Sequence, residues 1–145
     1  MIDLHQSPGR YIMRIASGLS NCLDSFVEGS VMTPQEARVL QFIATAQTPV
    51  CQRDLEAEYG CNAATISELI KNMEAKGLII RETDPSDRRR TRLYTNPEIE
   101  PMVREMRDKM IRMERELVEG IEQEKIDLFI ELAKKMSRNI PPKGK

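Results

Sequence analysis

The densest positive charge in the chain is Arg88-Arg89-Arg90-Thr91-Arg92, directly after Asp87. A guanidinium is planar, permanently charged and presents a fork of donors that matches paired anionic oxygens, so this run is chemistry for gripping anions. Phosphates along a nucleic-acid backbone suit it, and so does the narrow minor groove of duplex DNA, where negative potential concentrates. Asp87 adds a carboxylate able to ion-pair an arginine and hold it ready. The plain alternative is a solvated, charged turn. About twenty residues upstream, Thr65, Ser67, Glu68 and Lys71 lie beside the small Ala63 and Ala64. On one helix face they would combine hydrogen-bonding tips with room for close approach. Glu68 could accept from a cytosine amino group, Thr65 or Ser67 could bond a base or phosphate, and Lys71 suits backbone phosphate. Glu68 reads equally well as a solvated helix-face carboxylate.

Other chemistry is poorly served. His5 is the single histidine, and no glycine-rich phosphate loop or nucleophile with its base appears, which points away from an enzyme. Cys22, Cys51 and Cys61 form no CxxC pair and with one histidine complete no standard zinc set, so neither metal nor cofactor is expected.

The elements that must hold these residues follow from caps and periodicity. Ser7 caps a first helix with Pro8 at its start and Tyr11, Ile15, Leu19, Cys22 or Leu23, and Phe26 at helical spacing, ending near Gly29. Thr33-Pro34-Gln35-Glu36 is a capping box opening a second helix that turns Ala37, Leu40, Ile43 and Ala44 inward. A short third helix from Cys51 closes at Gly60, and a fourth from Asn62 to Lys76 buries Ile66, Leu69, Ile70 and Met73. Two helices across a tight glycine turn make a helix-turn-helix pattern. After Gly77, Leu78 to Thr83 reads as a strand, Asp84-Pro85-Ser86-Asp87 as a turn, and Arg92 to Thr95 as the returning strand of a hairpin. Asn96 caps a long helix with Pro97 at its first position. In it Ile99, Val103, Met106, Met110, Met113 and Leu117 form a heptad seam. Beyond Gly120, Ile126, Phe129, Ala133, Met136 and Ile140 repeat the rhythm before Pro141-Pro142. An ordinary bundle within one chain would show the same periodicity.

With 145 residues, one domain is expected. Of these, 40% are hydrophobic and 31% charged, and the net charge is only −1, so any nucleic-acid affinity must come from local charge rather than the total. No apolar run reaches membrane-spanning length and the opening residues lack signal-peptide order, so no membrane partner and a cytoplasmic location are expected.

From Leu55 to Thr95 the chain resembles the multiple antibiotic resistance regulator (MarR) family. The resemblance rests on the Leu55 helix ending in Gly60, on Ala64-Thr65-Ile66-Ser67, on Met73-Glu74-Ala75-Lys76-Gly77-Leu78-Ile79 and on Asp84-Pro85-Ser86-Asp87-Arg88-Arg89. The chain departs from the pattern at Thr95-Asn96-Pro97, where the family commonly has Leu-Thr before a glycine.

The resemblance implies a mainly α fold with a small β-hairpin. A winged helix-turn-helix lobe over 34–95 would be flanked by dimerisation helices at 7–29 and 97–140, all in one domain spanning 1–145. It implies a homodimeric repressor on a near-palindromic site in double-stranded DNA. Thr65, Ser67, Glu68 and Lys71 would then lie in the major groove, Arg88, Arg89 and Arg90 on the wing, and Asp87 would orient an arginine. A small-molecule effector between the dimer helices and the lobe is also implied. Met102, Met106, Met110 and Met113 could line its pocket or simply fill core. Some relatives sense oxidants through a thiol near the start of the first helix. Cys22 lies late in that helix, Cys51 sits at a cap where amide dipoles favour a thiolate, and inert burial of all three cysteines is the simpler reading. A protein-docking winged helix is the other alternative, although it would not require the arginine turn.

Overall fold

The computed structural model describes residues 3–140. Pro141-Pro142 lies outside them. In chain order the elements are α1 (Pro8–Val27), α2 (Pro34–Thr45), β1 (Val50–Cys51), α3 (Gln52–Tyr59), α4 (Ala63–Ala75), β2 (Ile79–Thr83), β3 (Thr91–Thr95), α5 (Glu100–Leu117) and α6 (Gln123–Asn139), with short 3-10 turns at Leu4–Gln6 and Pro97–Ile99.

Side-chain caps set the helix starts. The Ser7 hydroxyl accepts from Arg10 N at 3.4 Å. In the box at α2, Glu36 N donates to Thr33 Oγ1 at 3.2 Å and Thr33 N donates to Glu36 Oε2 at 2.8 Å, which satisfies two otherwise orphaned amides. Gly60 closes α3 in the left-handed region at φ 60, a conformation that costs a side-chain-bearing residue about 1 kcal/mol or more. Gly77, at φ 70, does the same for α4, where Leu78 N donates to Met73 O and Gly77 N to Glu74 O, each at 2.9 Å. This paired closure uses carbonyls the helix end would leave bare.

The hairpin read from sequence is part of a three-stranded antiparallel sheet of order β1-β3-β2. β2 and β3 pair from Ile79 with Thr95 to Thr83 with Thr91, while Val50 and Cys51 pair with Leu93 and Arg92. The third strand ties the start of α3 to the base of the wing.

One core joins these parts. Leu40, Leu55, Ile66, Met73, Leu78, Ile79 and Val103 are completely or almost completely buried, and Leu93 and Ile70 are buried beside them. Leu69, expected inside, only packs half-buried against this cluster. The core also takes in Val27, Met32, Val103 and Met106, so the packing unit extends on both sides of 34–95. Gln41 Nε2 adds a buried hydrogen bond to Val103 O at 3.1 Å, fastening α2 to α5.

The long helix does not begin at Pro97. Asn96 caps only a 3-10 turn, and α5 starts at Glu100. An α-helix from Pro97 would need the amide of residue 101 to bond the Pro97 carbonyl, and Pro101 has no N–H. Glu100 N takes that carbonyl instead, and Pro101 falls in the first turn of a fresh helix, where no donor is required.

The expected seam of α5 divides. Val103 and Met106 sit in the core of the lobe and Ile99 packs against it, whereas Met110 and Met113 are only half-buried and Leu117 is exposed. On α6 no residue is buried, and Leu128, Phe129, Ile130 and Leu132 face solvent, as do Tyr11, Ile12 and Met13 on α1.

Candidate nucleic-acid interface

α4 presents its inner face to the core through Ile66, Ile70 and Met73, and this leaves Thr65, Ser67, Glu68 and Lys71 together on the exposed side. Both ends of the helix are fixed. At its start, Asn62 Oδ1 accepts from Thr65 N at 2.8 Å, and Gln52 Nε2 reaches across from α3 to Ala63 O at 3.1 Å while also donating to Glu56 Oε1 at 2.9 Å. That carboxamide locks the angle between the two helices.

At the far end, Lys76 Nζ donates to both carboxylate oxygens of Glu36, at 2.9 and 2.8 Å. Glu36 is buried, and burial alone would raise its pKa. The Lys76 ammonium and the Thr33 amide outweigh that effect and hold the carboxyl below its usual range. The sequence reading assigned Glu36 only to the cap. In the fold it also anchors α4 to α2, with Arg81 Nε to Glu74 Oε2 at 2.8 Å as a more exposed tie from β2.

The wing turn is braced by its own polar groups. Asp84 N donates to Arg90 O and Arg90 N to Asp87 O, both at 2.9 Å, closing a loop within a loop. Asp84 is buried, and its Oδ1 accepts from Ser86 N at 2.8 Å, Ser86 Oγ at 2.6 Å and Arg92 Nη2 at 2.9 Å. Those bonds, the Ser86 pair first, hold the Asp84 carboxyl well below the usual carboxylate range.

The expected ion pair from Asp87 to an arginine is not made: Asp87 Oδ1 accepts the backbone amide of Arg89 at 3.0 Å. A carboxylate two residues before an amide reaches it in a tight turn with less entropy lost than by capturing a long guanidinium. The carboxylate that holds an arginine is Asp84, and the arginine held is Arg92. Arg88, Arg89 and Arg90 are exposed, and among the described residues none of them lies within ion-pair distance of a carboxylate. The wing therefore spends one arginine on its own structure and leaves three free.

One cavity adjoins this surface, and a larger one has neither α4 nor wing residues in its wall. Between the start of α3 and the wing lies a cleft of about 370 Å³ walled by Gln52, Arg53, Asp87, Arg89 and Arg90, with Cys51 and Thr91. A larger cavity of about 730 Å³ opens where α2 meets α5 and the start of α6, with Arg38, Phe42, Tyr59, Arg107, Met110 and Ile126 in its wall. Phe42 and Tyr59 meet edge to face with centroids 6.2 Å apart, and burial raises the Tyr59 hydroxyl pKa. The Nε of Arg107 is buried there without a hydrogen-bond partner among the described residues. Of the four methionines read as pocket candidates, only Met110 lines this cavity. The cysteines are free thiols, Cys22 exposed and Cys51 and Cys61 partly so.

Residues 32–90 match the model of the MarR family. Among solved structures, S. aureus MepR in its DNA-binding conformation superposes with a TM-score of 0.85 at 21% identity, over 92% of this chain and 98% of that one. A MarR-family regulator from Listeria monocytogenes complexed with a 26mer DNA gives 0.80 at 21%, over 97% and 90%. CouR from Rhodococcus jostii bound to p-coumaroyl-CoA gives 0.82 at 20%, over 97% of each chain. At these identities the structural likeness establishes the fold: a winged helix-turn-helix with long flanking helices.

Proposed function

From the premise that residues 32–90 carry the winged helix-turn-helix of the MarR family, we propose that the chain is a DNA-binding transcription regulator. It acts as a homodimeric repressor on a near-palindromic operator. The observation that carries this reading is the wing: Asp84 and Arg92 stiffen a turn on which Arg88, Arg89 and Arg90 stand without an ion pair among the described residues. A fold gains nothing from holding three unpaired guanidiniums together, whereas a polyanion does. α4 enters the major groove with Thr65, Ser67, Glu68 and Lys71 toward the bases and backbone, and the wing enters the adjoining minor groove. Asp87 orients the wing by fixing the backbone of Arg89 rather than its side chain.

One such lobe reads few base pairs, so useful specificity calls for two. The exposed apolar side chains of α1, α5 and α6, among them Tyr11, Ile15, Leu117, Leu128 and Phe129, supply the surface for a second copy. The cavity walled by Phe42, Tyr59 and Arg107 is the seat of a small-molecule effector, as its position between these helices and the lobe favours, and the Arg107 guanidinium in its wall suits an acid.

Arg89→Ala tests the reading. Loss of a phosphate or groove cation lowers affinity for duplex DNA and flattens the slope of log K against log salt by roughly 0.9 for each contact. Unchanged affinity and slope would remove Arg89, and with it the wing, from the interface.

A further inference from the structure

The cleft between α3 and the wing shares Arg89 and Arg90 with the wing surface and adds Arg53, which lies outside both α4 and the wing. Arg53 stands on the first turn of α3, and Arg89 and Arg90 come from a loop more than thirty residues later, yet all three line one cavity of about 370 Å³. Pairing of β1 with β3, which sets Cys51 beside Arg92, brings the start of α3 to the wing. Three guanidiniums line the cleft against one carboxylate, Asp87, whose Oδ1 accepts from Arg89 N at 3.0 Å, with Asp54, whose Oδ2 accepts from Cys51 N at 2.8 Å, close by, so positive charge exceeds negative there. Arg90 is close enough to Asp54 to help lower its pKa, after the Cys51 hydrogen bonds that do most of it. Among the described residues none of Arg53, Arg89 and Arg90 makes an ion pair.

We propose that this cleft is a clamp for one DNA backbone phosphodiester, held between Arg53 of α3 and Arg89 and Arg90 of the wing. The inference rests on the DNA-binding reading and extends it. When a recognition helix lies in the major groove and a wing in the neighbouring minor groove, the strand that separates the two grooves must pass between helix and wing. The cleft has no α4 residue in its wall, but Gln52, which lines it, bonds Ala63 O at the start of α4, so in that docking the cleft would open beside the strand. Arg89 and Arg90, for which the sequence allows either groove or phosphate, are assigned to the backbone in this proposal, and Arg53 joins them from α3. The clamp fixes register without reading sequence, since a phosphate is the same at every base pair.

The test compares wild type with Arg53→Ala and Arg53→Lys on an enriched duplex and on random duplex across a salt series, with thermal unfolding as a fold control. Arg53 is exposed and makes no ion pair among the described residues, so the melting temperature stays unchanged. The alanine variant loses affinity by the same factor on both duplexes and its salt slope falls by roughly 0.9 per protomer, whereas lysine keeps the slope. Wild-type affinity and slope in Arg53→Ala overturn the clamp, and so does a loss confined to the enriched sequence. If wild type itself binds no duplex, the regulator reading fails first. A second readout uses the Cys51 thiol in the cleft wall. Duplex DNA slows alkylation of Cys51 by N-ethylmaleimide, followed on its own peptide by mass spectrometry, and an equal rate with and without DNA contradicts the proposal.

Discussion

Lys76→Ala removes the ammonium that spans α4 and α2, and the geometry sets the size of the effect. Two charge-assisted bonds, at 2.9 and 2.8 Å, are lost from a Glu36 side chain that is 4% exposed. Stripping one partner from a fully buried pair costs about 3–5 kcal/mol. The Lys76 side chain is 34% exposed, so solvent already screens part of the interaction, and Glu36 keeps its bond from Thr33 N. The expected loss is about 2 kcal/mol, within the range for hydrogen bonds to a charged group. For a chain of this length that corresponds to roughly 4–8 °C in Tm. The pH dependence distinguishes the cause. In the wild type the Glu36 carboxyl is held below its ordinary value, so it contributes stability above about pH 4.3 that is lost as pH falls through the lowered folded value. Without Lys76, burial works against the carboxylate with its chief opponent gone. The gap between wild type and variant is therefore widest near neutrality and narrows as pH falls below the ordinary glutamate range. Urea unfolding at fixed protein concentration, at pH 7 and pH 4, measures it, and the cycle with Glu36→Gln should show coupling of about 1 kcal/mol or more. A loss below about 0.5 kcal/mol that does not change with pH would refute the assigned role of the pair.

Two further outcomes follow from the same structure. Asp84→Asn frees Arg92 and loosens the wing, so duplex affinity falls while α4 stays folded. Because the Asp84 carboxyl is held below its usual range, its contribution to stability is present above about pH 4 and disappears as pH drops further. The difference between wild type and Asp84→Asn should therefore shrink on acidification, and a constant difference contradicts the hydrogen-bond account. If the large cavity seats the effector proposed above, an acid present at a hundred times its Kd stabilises the protein by about 2.7 kcal/mol. Arg107→Met should abolish the Tm shift, and its survival would place the acid elsewhere.

Much of this architecture is legible in the sequence because local rules fix it. Thr33 and Glu36 announce their cap three residues apart, Gly60 and Gly77 mark turns that need positive φ, and Ile66, Ile70 and Met73 mark the inner face of α4. Elements that depend on a distant partner are silent. β1 is two residues long, shorter than any readable alternation, and exists because β3 accepts it. Lys76 lies forty residues from Glu36 and looks like an ordinary last-turn lysine until the fold joins them. Pro101 is legible too: a proline four residues past a helix start at Pro97 denies that start. At the wing, sequence showed the acidic turn and the arginines but not which acid holds which arginine. Asp84 and Asp87 are equivalent by composition, and only burial gives Asp84 the structural task. Arg53 was missed because its meaning comes from residues 89 and 90, which lie across the cleft.

Sequencing the duplexes that the intact protein retains from a random pool tests DNA recognition, symmetry and site together. A dimer with two winged lobes should enrich a near-palindrome whose halves lie about one helical turn, roughly 10 base pairs, apart. No enrichment over the starting pool, or a single undivided motif, would contradict the account.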